Sequence, residues 1–146
     1  MNKTSCIVLA AGDGKRMKSV KPKVLMEVLF KPMLGWVLDS AEKLSPDEIC
    51  VVVGNGEDKI GAYLETRSGK YTVVRQTVRL GTGHAVMQAE NVLKNCENVL
   101  VLCGDAPFMD EETLRAALKT HLEKDCGATV IAATTENPFG YGRIVR

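Results

Sequence analysis

The chain has no CxxC pair, no excess of one charge and no long hydrophobic run, and each absence removes a class of function. Its five cysteines, at positions 6, 50, 96, 103 and 126, are odd in number and irregularly spaced, which fits neither a zinc site nor a complete disulfide set. Cys6, Cys50 and Cys103 sit inside apolar runs and read as small buried thiols. The formal net charge is +1, so no global field draws the chain to nucleic acid or to an anionic membrane. No apolar stretch approaches the roughly 20 residues that a membrane span requires. The opening MNKTSCIVLAAG reaches glycine and acid too early for a signal peptide, so the cytoplasm is the expected compartment. No polar low-complexity tract argues for disorder, and no internal repeat or linker divides the chain.

What remains is an ordinary domain of 146 residues, 45% hydrophobic and 25% charged, long enough to bury about two thirds of its unfolded surface. Strands are expected at 6–10, 48–53, 98–103 and 128–133, with 71–76 as a fifth. Most are continuously apolar, as in a parallel sheet covered on both faces. Between them run stripes with helical spacing. These are Leu34, Val37, Leu38, Ala41 and Leu44; Ile60, Tyr63 and Leu64; Ala85, Ala89, Val92 and Leu93; and Leu114, Ala117, Leu118 and Leu122. Asp110 stands where it would cap the last of these, with Glu111 and Glu112 in its first turn. Strand and helix alternate with short connections, which predicts an α/β domain: a doubly wound, mostly parallel sheet with helices on both faces and its ligands outside the carboxyl ends of the strands.

Three segments compete for that rim: the loop after the first strand, LGTGHA at 80–85, and CGD at 103–105. The first combines Gly12 and Gly14 with Lys15, Arg16, Lys18, Lys21 and Lys23. Bare glycine backbone lets successive N–H groups approach an anion, and the cations around it suit a triphosphate. Neither common nucleotide motif applies. Met17 occupies the third glycine of GxGxxG, and Leu9 and Arg16 break GxxxxGK[ST]. Asp105 follows a buried strand and offers magnesium a hard oxygen, or serves as a turn residue. Gln76 carries both an acceptor and a donor, suited either to reading a base or to bonding backbone at a strand end.

LAAGDGKRM, PKVL, QTVRLGTGHA, CGDAPF and NPFGYGRIVR, in this order and spacing, resemble the uridylyltransferase domain of the bifunctional bacterial N-acetylglucosamine-1-phosphate uridylyltransferases. The resemblance runs from Ile7 to the last residue. LAAG with GxGxRM fits the wider group of nucleotidyltransferases, whereas LGTGHA with GYGRI is particular to this family. The resemblance implies a Rossmann-like nucleotidyltransferase fold and transfer of UMP from UTP to N-acetylglucosamine 1-phosphate, with Mg2+ and release of pyrophosphate. Residues 1–146 would form the nucleotide-binding part of such a domain.

Carried over position by position, the resemblance places Leu9, Ala11, Gly12 and Gly14 beside the nucleotide and Arg16 and Lys23 on phosphate as the catalytic cations. Gln76, Gly81 and Thr82 would hold the uridine, Asp105 the metal and Gly140 the acceptor sugar. His84 is expected to order its loop, because an attacking sugar phosphate is already ionised and needs no base; His121 is expected at the surface. Two positions depart from the family: Lys15 replaces a small hydroxyl residue, and Cys103 replaces an aromatic.

The hexapeptide repeats of the family's acetyltransferase half do not occur in these 146 residues, so any homo-oligomer is expected to form by a route other than a β-helix. The family's domain continues past GYGRI into residues that complete the acceptor site, so nucleotide binding with weak or no turnover is expected of this stretch. Two other readings stay open on the residues alone. One is a noncatalytic nucleotide-binding module; the other is a cytidylyl- or guanylyltransferase of the same fold.

Overall fold

The computed structural model describes residues 3–12, 19–142 and 144. Its centre is a four-stranded parallel sheet of β1 (Thr4–Ala10), β4 (Glu48–Val53), β5 (Thr72–Arg75) and β6 (Asn98–Cys103), in the order β5-β4-β1-β6. A two-stranded hairpin, β2 (Glu27–Val28) and β3 (Lys31–Pro32), precedes α1 (Met33–Lys43). The remaining helices are α2 (Glu57–Glu65), α3 (Thr82–Met87), α4 (Glu90–Leu93) and α5 (Glu111–Glu123). No helix among the described residues is long and apolar enough to cross a membrane.

The period of two along a strand sorts the core into two layers. Cys6, Val8 and Ala10 of β1 and Ile49, Val51 and Val53 of β4 join Leu34, Val37, Leu38 and Ala41 of α1, Ile60 and Leu64 of α2 and Leu114 of α5 on one face. Ile7, Cys50 and Val52 point the other way, against Ala85 and Ala89 from α3 and the turn after it, with Val92 and Leu93 of α4 beside them. β1 and β4 are therefore apolar at almost every position because both faces are covered. Burial pushes the Cys6 thiol up to about 12 and Cys50 to about 11, with Cys50 adding to the first shift and Glu48 to the second. Both remain neutral, inert thiols at pH 7.

Three expectations change on contact with the structure. The 128–133 segment joins no ladder; Val130 and Ile131 are exposed, and with Gly127, Ala128 and Thr129 they line an apolar groove of about 700 Å³ against β6 and α5. An apolar run by itself does not make a strand, and β6, the edge of the sheet, leaves Val99 and Val101 exposed. Cys103 is exposed for the same reason, since it shares the parity of those valines. The third helical stripe divides into α3 and α4, where i to i−3 bonds at Ala89 and Val92 tighten the chain while Ala89 stays fully buried. The Asp110 cap forms as expected, its carboxylate accepting from the Thr113 amide at 2.7 Å.

The hairpin turn carries Leu29 and Phe30 at φ 52° and 64°, the left-handed pair of a type I′ turn that normally takes Asn and Gly. Neither residue signals a turn, which is why the element is invisible in the sequence. Phe30 is 98% exposed, so it has no packing to set against the cost of its backbone conformation, about 1–2 kcal/mol. Phe30→Gly is expected to raise the unfolding free energy by about 1 kcal/mol in urea titration; a loss of stability would show that the ring holds something in place.

Beside the hairpin, α1, the end of α2 and the start of β5 are tied by one polar network. Arg67 donates to Asp39 at 2.7 Å, to Glu42 at 2.9 Å and to the Tyr71 hydroxyl at 2.7 Å, and Lys31 pairs with the other oxygen of Asp39. Burial raises the Asp39 carboxyl, but the bonds from Lys31 and Arg67 outweigh it and hold the group below its usual range. A depressed carboxyl contributes stability that is present above its unfolded value, near 3.9, and is lost as pH falls through the folded value. Asp39→Asn is therefore expected to lower stability at pH 7, with the deficit shrinking as pH drops from about 5 to about 2. A deficit independent of pH in urea titrations would show that the charge plays no part.

Candidate nucleotide site

The chain runs from β1 through α1, β4 and α2 to β5 on one side of the sheet, and then crosses to β6 on the other side of β1. β1 is thus the point where strand order reverses, and such a reversal opens a crevice at the carboxyl ends of the strands. A hollow of about 380 Å³ lies there. Leu9 of β1 and Ala11 and Gly12 just after it supply one wall, Lys23 and Val24 come from the turn before the hairpin, Gln76, Arg79, Gly81 and Thr82 from beyond β5, and Cys103 and Asp105 from the end of β6.

Each wall is held by backbone. The β1–β6 ladder extends one bond further, Gly104 N–H to Leu9 O at 2.9 Å, which brings Asp105 over the end of β1. A Cβ on Gly104 would stand 2.9 Å from that same oxygen and one on Gly54 2.7 Å from Ala11 O, so both loops approach β1 too closely for any side chain. Lys23 begins a 3-10 turn, Lys23–Leu25, whose next two residues, Val24 and Leu25, are buried in the core. Lys59 donates to Val20 O at 2.7 Å, and Pro22 packs on Gly56, which tie the approach to that turn onto the start of α2. Beyond β5, Gln76 N–H bonds Val53 O at 2.8 Å, extending the β4–β5 ladder to the hollow.

Lys23 and Asp105 form a charged pair in the site, Nζ to Oδ2 at 2.6 Å, from residues 82 apart in sequence. Both side chains are a little over one third exposed, so the bond is screened and contributes at most about 1 kcal/mol. Such a pair is readily rearranged by an anion that takes the ammonium or a cation that takes the carboxylate. Burial raises the Cys103 thiol, Asp105 raises it further, and Lys23 opposes them, so the thiol stays protonated beside the pair. Gln76 is 6% exposed. Its Nε2 donates to Gly81 O at 3.2 Å and contacts His84 Nδ1 at 3.0 Å, so one half of the amide bonds backbone and neighbour while the other carries no hydrogen bond among the described residues.

Leu9, Ala11, Gly12, Lys23, Gln76, Gly81, Thr82 and Asp105 of the sequence-derived set thus meet around one hollow. Gly14 and Arg16 lie outside the described residues, as does Lys15. Gly140 is not part of this wall. It stands at φ 81° in an exposed turn closed by Tyr141 N–H to Pro138 O at 3.0 Å. Arg79 belongs to the wall and was missed, although a basic residue between Gln76 and LGTGHA, in a loop leaving the carboxyl end of a strand, is itself a signal. The hydroxyl, amide and guanidinium groups here suit a polyanionic ligand with a polar ring.

Among the described residues no group of three or more His, Cys, Asp or Glu gathers to hold a metal. Of the described residues, one carboxylate, Asp105, lines the hollow. Magnesium commonly takes a single protein carboxylate and completes its octahedron with substrate phosphates and water, so this donor set fits a metal brought in with a nucleotide.

A family model described as MobA-like NTP transferase domain matches residues 6–144. The chain is 44% identical over 140 residues to the "Bifunctional protein GlmU" of Thermoanaerobacter pseudethanolicus, covering 96% of this chain and 30% of that protein. It therefore spans about 30% of the length of that relative. Among solved structures, UDP-glucose pyrophosphorylase from Acinetobacter baumanii superposes with a TM-score of 0.72 at 22% identity, over 86% of this chain and 54% of its own. Rv0371c from Mycobacterium tuberculosis, in a complex with manganese, superposes with a TM-score of 0.62 at 22% identity, over 82% and 59%. Both share the Rossmann-like fold of a parallel sheet between helices.

The two rim glycines separate architecture from ligand contact. Gly104→Ala drives a methyl onto Leu9 O and is expected to cost about 1–3 kcal/mol in urea unfolding. A Cβ on Gly12 meets nothing within 4 Å, so Gly12→Ala is expected to change stability by no more than about 0.5 kcal/mol. Equal costs at the two positions would contradict the close approach at Gly104.

Proposed function

Since the chain belongs to the MobA-like NTP transferase family, we propose that its rim hollow binds UTP with Mg2+. The activity it serves is transfer of UMP to N-acetylglucosamine 1-phosphate with release of pyrophosphate. The observation that carries this reading is the meeting of Lys23, Asp105, Gln76 and Gly12 in one hollow at the reversal of strand order. The resemblance to proteins named bifunctional GlmU supports sugar-phosphate nucleotidyl transfer as the reaction class.

Nucleotidyl transfer asks little covalent chemistry of the protein; orientation for in-line attack and neutralisation of phosphate charge supply most of the acceleration. Gly12 leaves bare backbone against the phosphates. Lys23, on a flexible stem anchored by Val24 and Leu25, follows the α-phosphate as charge grows there, exchanging its bond to Asp105 for one to phosphate oxygen. Arg16 is assigned the outer phosphates, and Arg79 faces the same anion from the far wall. Asp105, freed of its bond to Lys23, would hold Mg2+, which when bound would supply further positive charge to the phosphates. The incoming sugar phosphate is already an anion, so no residue has to remove a proton from it.

For the base, Gln76 presents its amide oxygen, because the nitrogen is committed to Gly81 O and His84. Uracil offers N3–H to that oxygen; cytosine offers a lone pair there and leaves a buried acceptor unmet, at about 1–3 kcal/mol. Gly81 and Thr82 line the wall next to the amide, and Gly140 is assigned the acceptor sugar in the complete site. The expected compartment for such an enzyme is the cytoplasm.

Isothermal titration of UTP with Mg2+ into the chain tests the reading. Saturable binding is expected, weakened at least about tenfold by Lys23→Ala and by rising salt. Absence of UTP binding at low ionic strength would overturn it.

A further inference from the structure

A line of side-chain contacts leads away from the hollow through Gln76, His84 and Gln88. Gln76 Nε2 lies 3.2 Å from Gly81 O and 3.0 Å from His84 Nδ1. On the other edge of the same imidazole, Gln88 Nε2 lies 3.2 Å from His84 Nε2 and 3.1 Å from the His84 carbonyl oxygen. A neutral imidazole has one N–H and one acceptor nitrogen, so it cannot accept from both amides. One of the two contacts has to give way.

Burial decides which. Gly81 O has no proton to give, so it requires the nitrogen of Gln76 to face it, and the second hydrogen of that nitrogen falls to Nδ1. Gln76 is 6% exposed, whereas Gln88 is only half-buried and can satisfy either amide atom with water. The lower-cost arrangement has Nδ1 accepting from Gln76 and the proton on Nε2, while the Gln88 nitrogen keeps its bond to the His84 carbonyl oxygen and gives up its contact with the ring.

We propose that His84, held as the neutral Nε2–H tautomer, is a positioning residue for base selection: by accepting from Gln76 Nε2 it fixes the Gln76 amide with Oε1 as the acceptor of the nucleotide hollow. This rests on reading the hollow as a uridine nucleotide site, and it extends that reading from the residue that meets the base to the residue that sets its polarity. Without His84 the amide keeps only the bond to Gly81 O, which at 3.2 Å is at the long end for N–H···O. A loosely held amide can present either end. It then discriminates poorly between a base with N–H at that edge and one with a lone pair.

The test compares UTP and CTP affinity in the unsubstituted chain, His84→Leu and His84→Asn, together with imidazole ¹⁵N spectra of the unsubstituted chain. With two histidines in the chain, His121→Gln assigns the spectra. The unsubstituted chain is expected to prefer UTP, His84→Leu to lose about tenfold of that preference, and His84→Asn to restore most of it, because Asn Oδ1 accepts where Nδ1 did. His84 is expected to show an unprotonated Nδ1 and a protonated Nε2, a readout that needs no nucleotide. A UTP preference kept in full by His84→Leu, or a protonated Nδ1, overturns the role of His84 alone. The expected tautomer without any UTP preference overturns the uridine reading, and this role with it.

Discussion

The position of β1, hydrogen-bonded in parallel to β4 on one side and β6 on the other, is the constraint on which the rest of the molecule depends. Because strand order reverses there, the loops after β1, β5 and β6 leave the sheet around a single crevice instead of in a row along one edge. The close register of β1 with its neighbours has a steric consequence. Gly54 and Gly104 stand where the loops touch β1 backbone, at distances that exclude a side chain. Core packing and site geometry are therefore one problem: Ala10 and Ala11, adjacent in sequence, enter opposite core layers just before Gly12 reaches the hollow.

The polar part of the site combines an exposed ion pair that a charged ligand can rearrange with a buried amide that is held in place. Lys23 and Asp105 neutralise each other while staying partly exposed, so each charge is available to a ligand at low desolvation cost. Gln76 is the opposite case. It is buried, its backbone is anchored to β4, and its amide nitrogen is engaged by Gly81 and His84. In the proposed function Gln76 tells one base from another and benefits from such rigidity, whereas Lys23 follows charge during the displacement and benefits from freedom. The far network of Arg67, Asp39, Glu42 and Tyr71 acts away from the hollow, joining α1 to α2 and β5.

The strands at 6–10, 48–53 and 98–103 were legible as apolar runs, although β6 is covered on one face only. CIVLA and ICVVV are apolar throughout because α1 and α2 lie on one side and α3 and α4 on the other, and such runs announce themselves. ATVIAA carries the same pattern and forms no ladder, because pattern reports a residue's preference for cover and not whether cover exists. The hairpin at Leu29 and Phe30 shows the converse, an element imposed by its surroundings on residues that do not favour it. Its frame comes from Trp36 donating to Val28 O and Met33 N–H to Met26 O, contacts set by the docking of α1.

For the site, local chemistry was readable in advance: glycine where backbone has to come close, a lysine beside a stiff proline, a carboxylate after an apolar strand, an amide at the end of another. The parallel α/β class was read from the alternation of strand and helix, and the family from the resemblance of the motifs, with the family model matching residues 6–144. What no reading of the chain supplies is which of these groups face one another. That Lys23 meets Asp105 across 82 residues, that Arg79 joins the wall while Gly140 lies in a separate turn, and that His84 engages the nitrogen of Gln76 were decided only by the folded sheet. Propensity and pattern are properties of neighbours along the chain, whereas a site is a set of distances between residues that only strand order and register bring together.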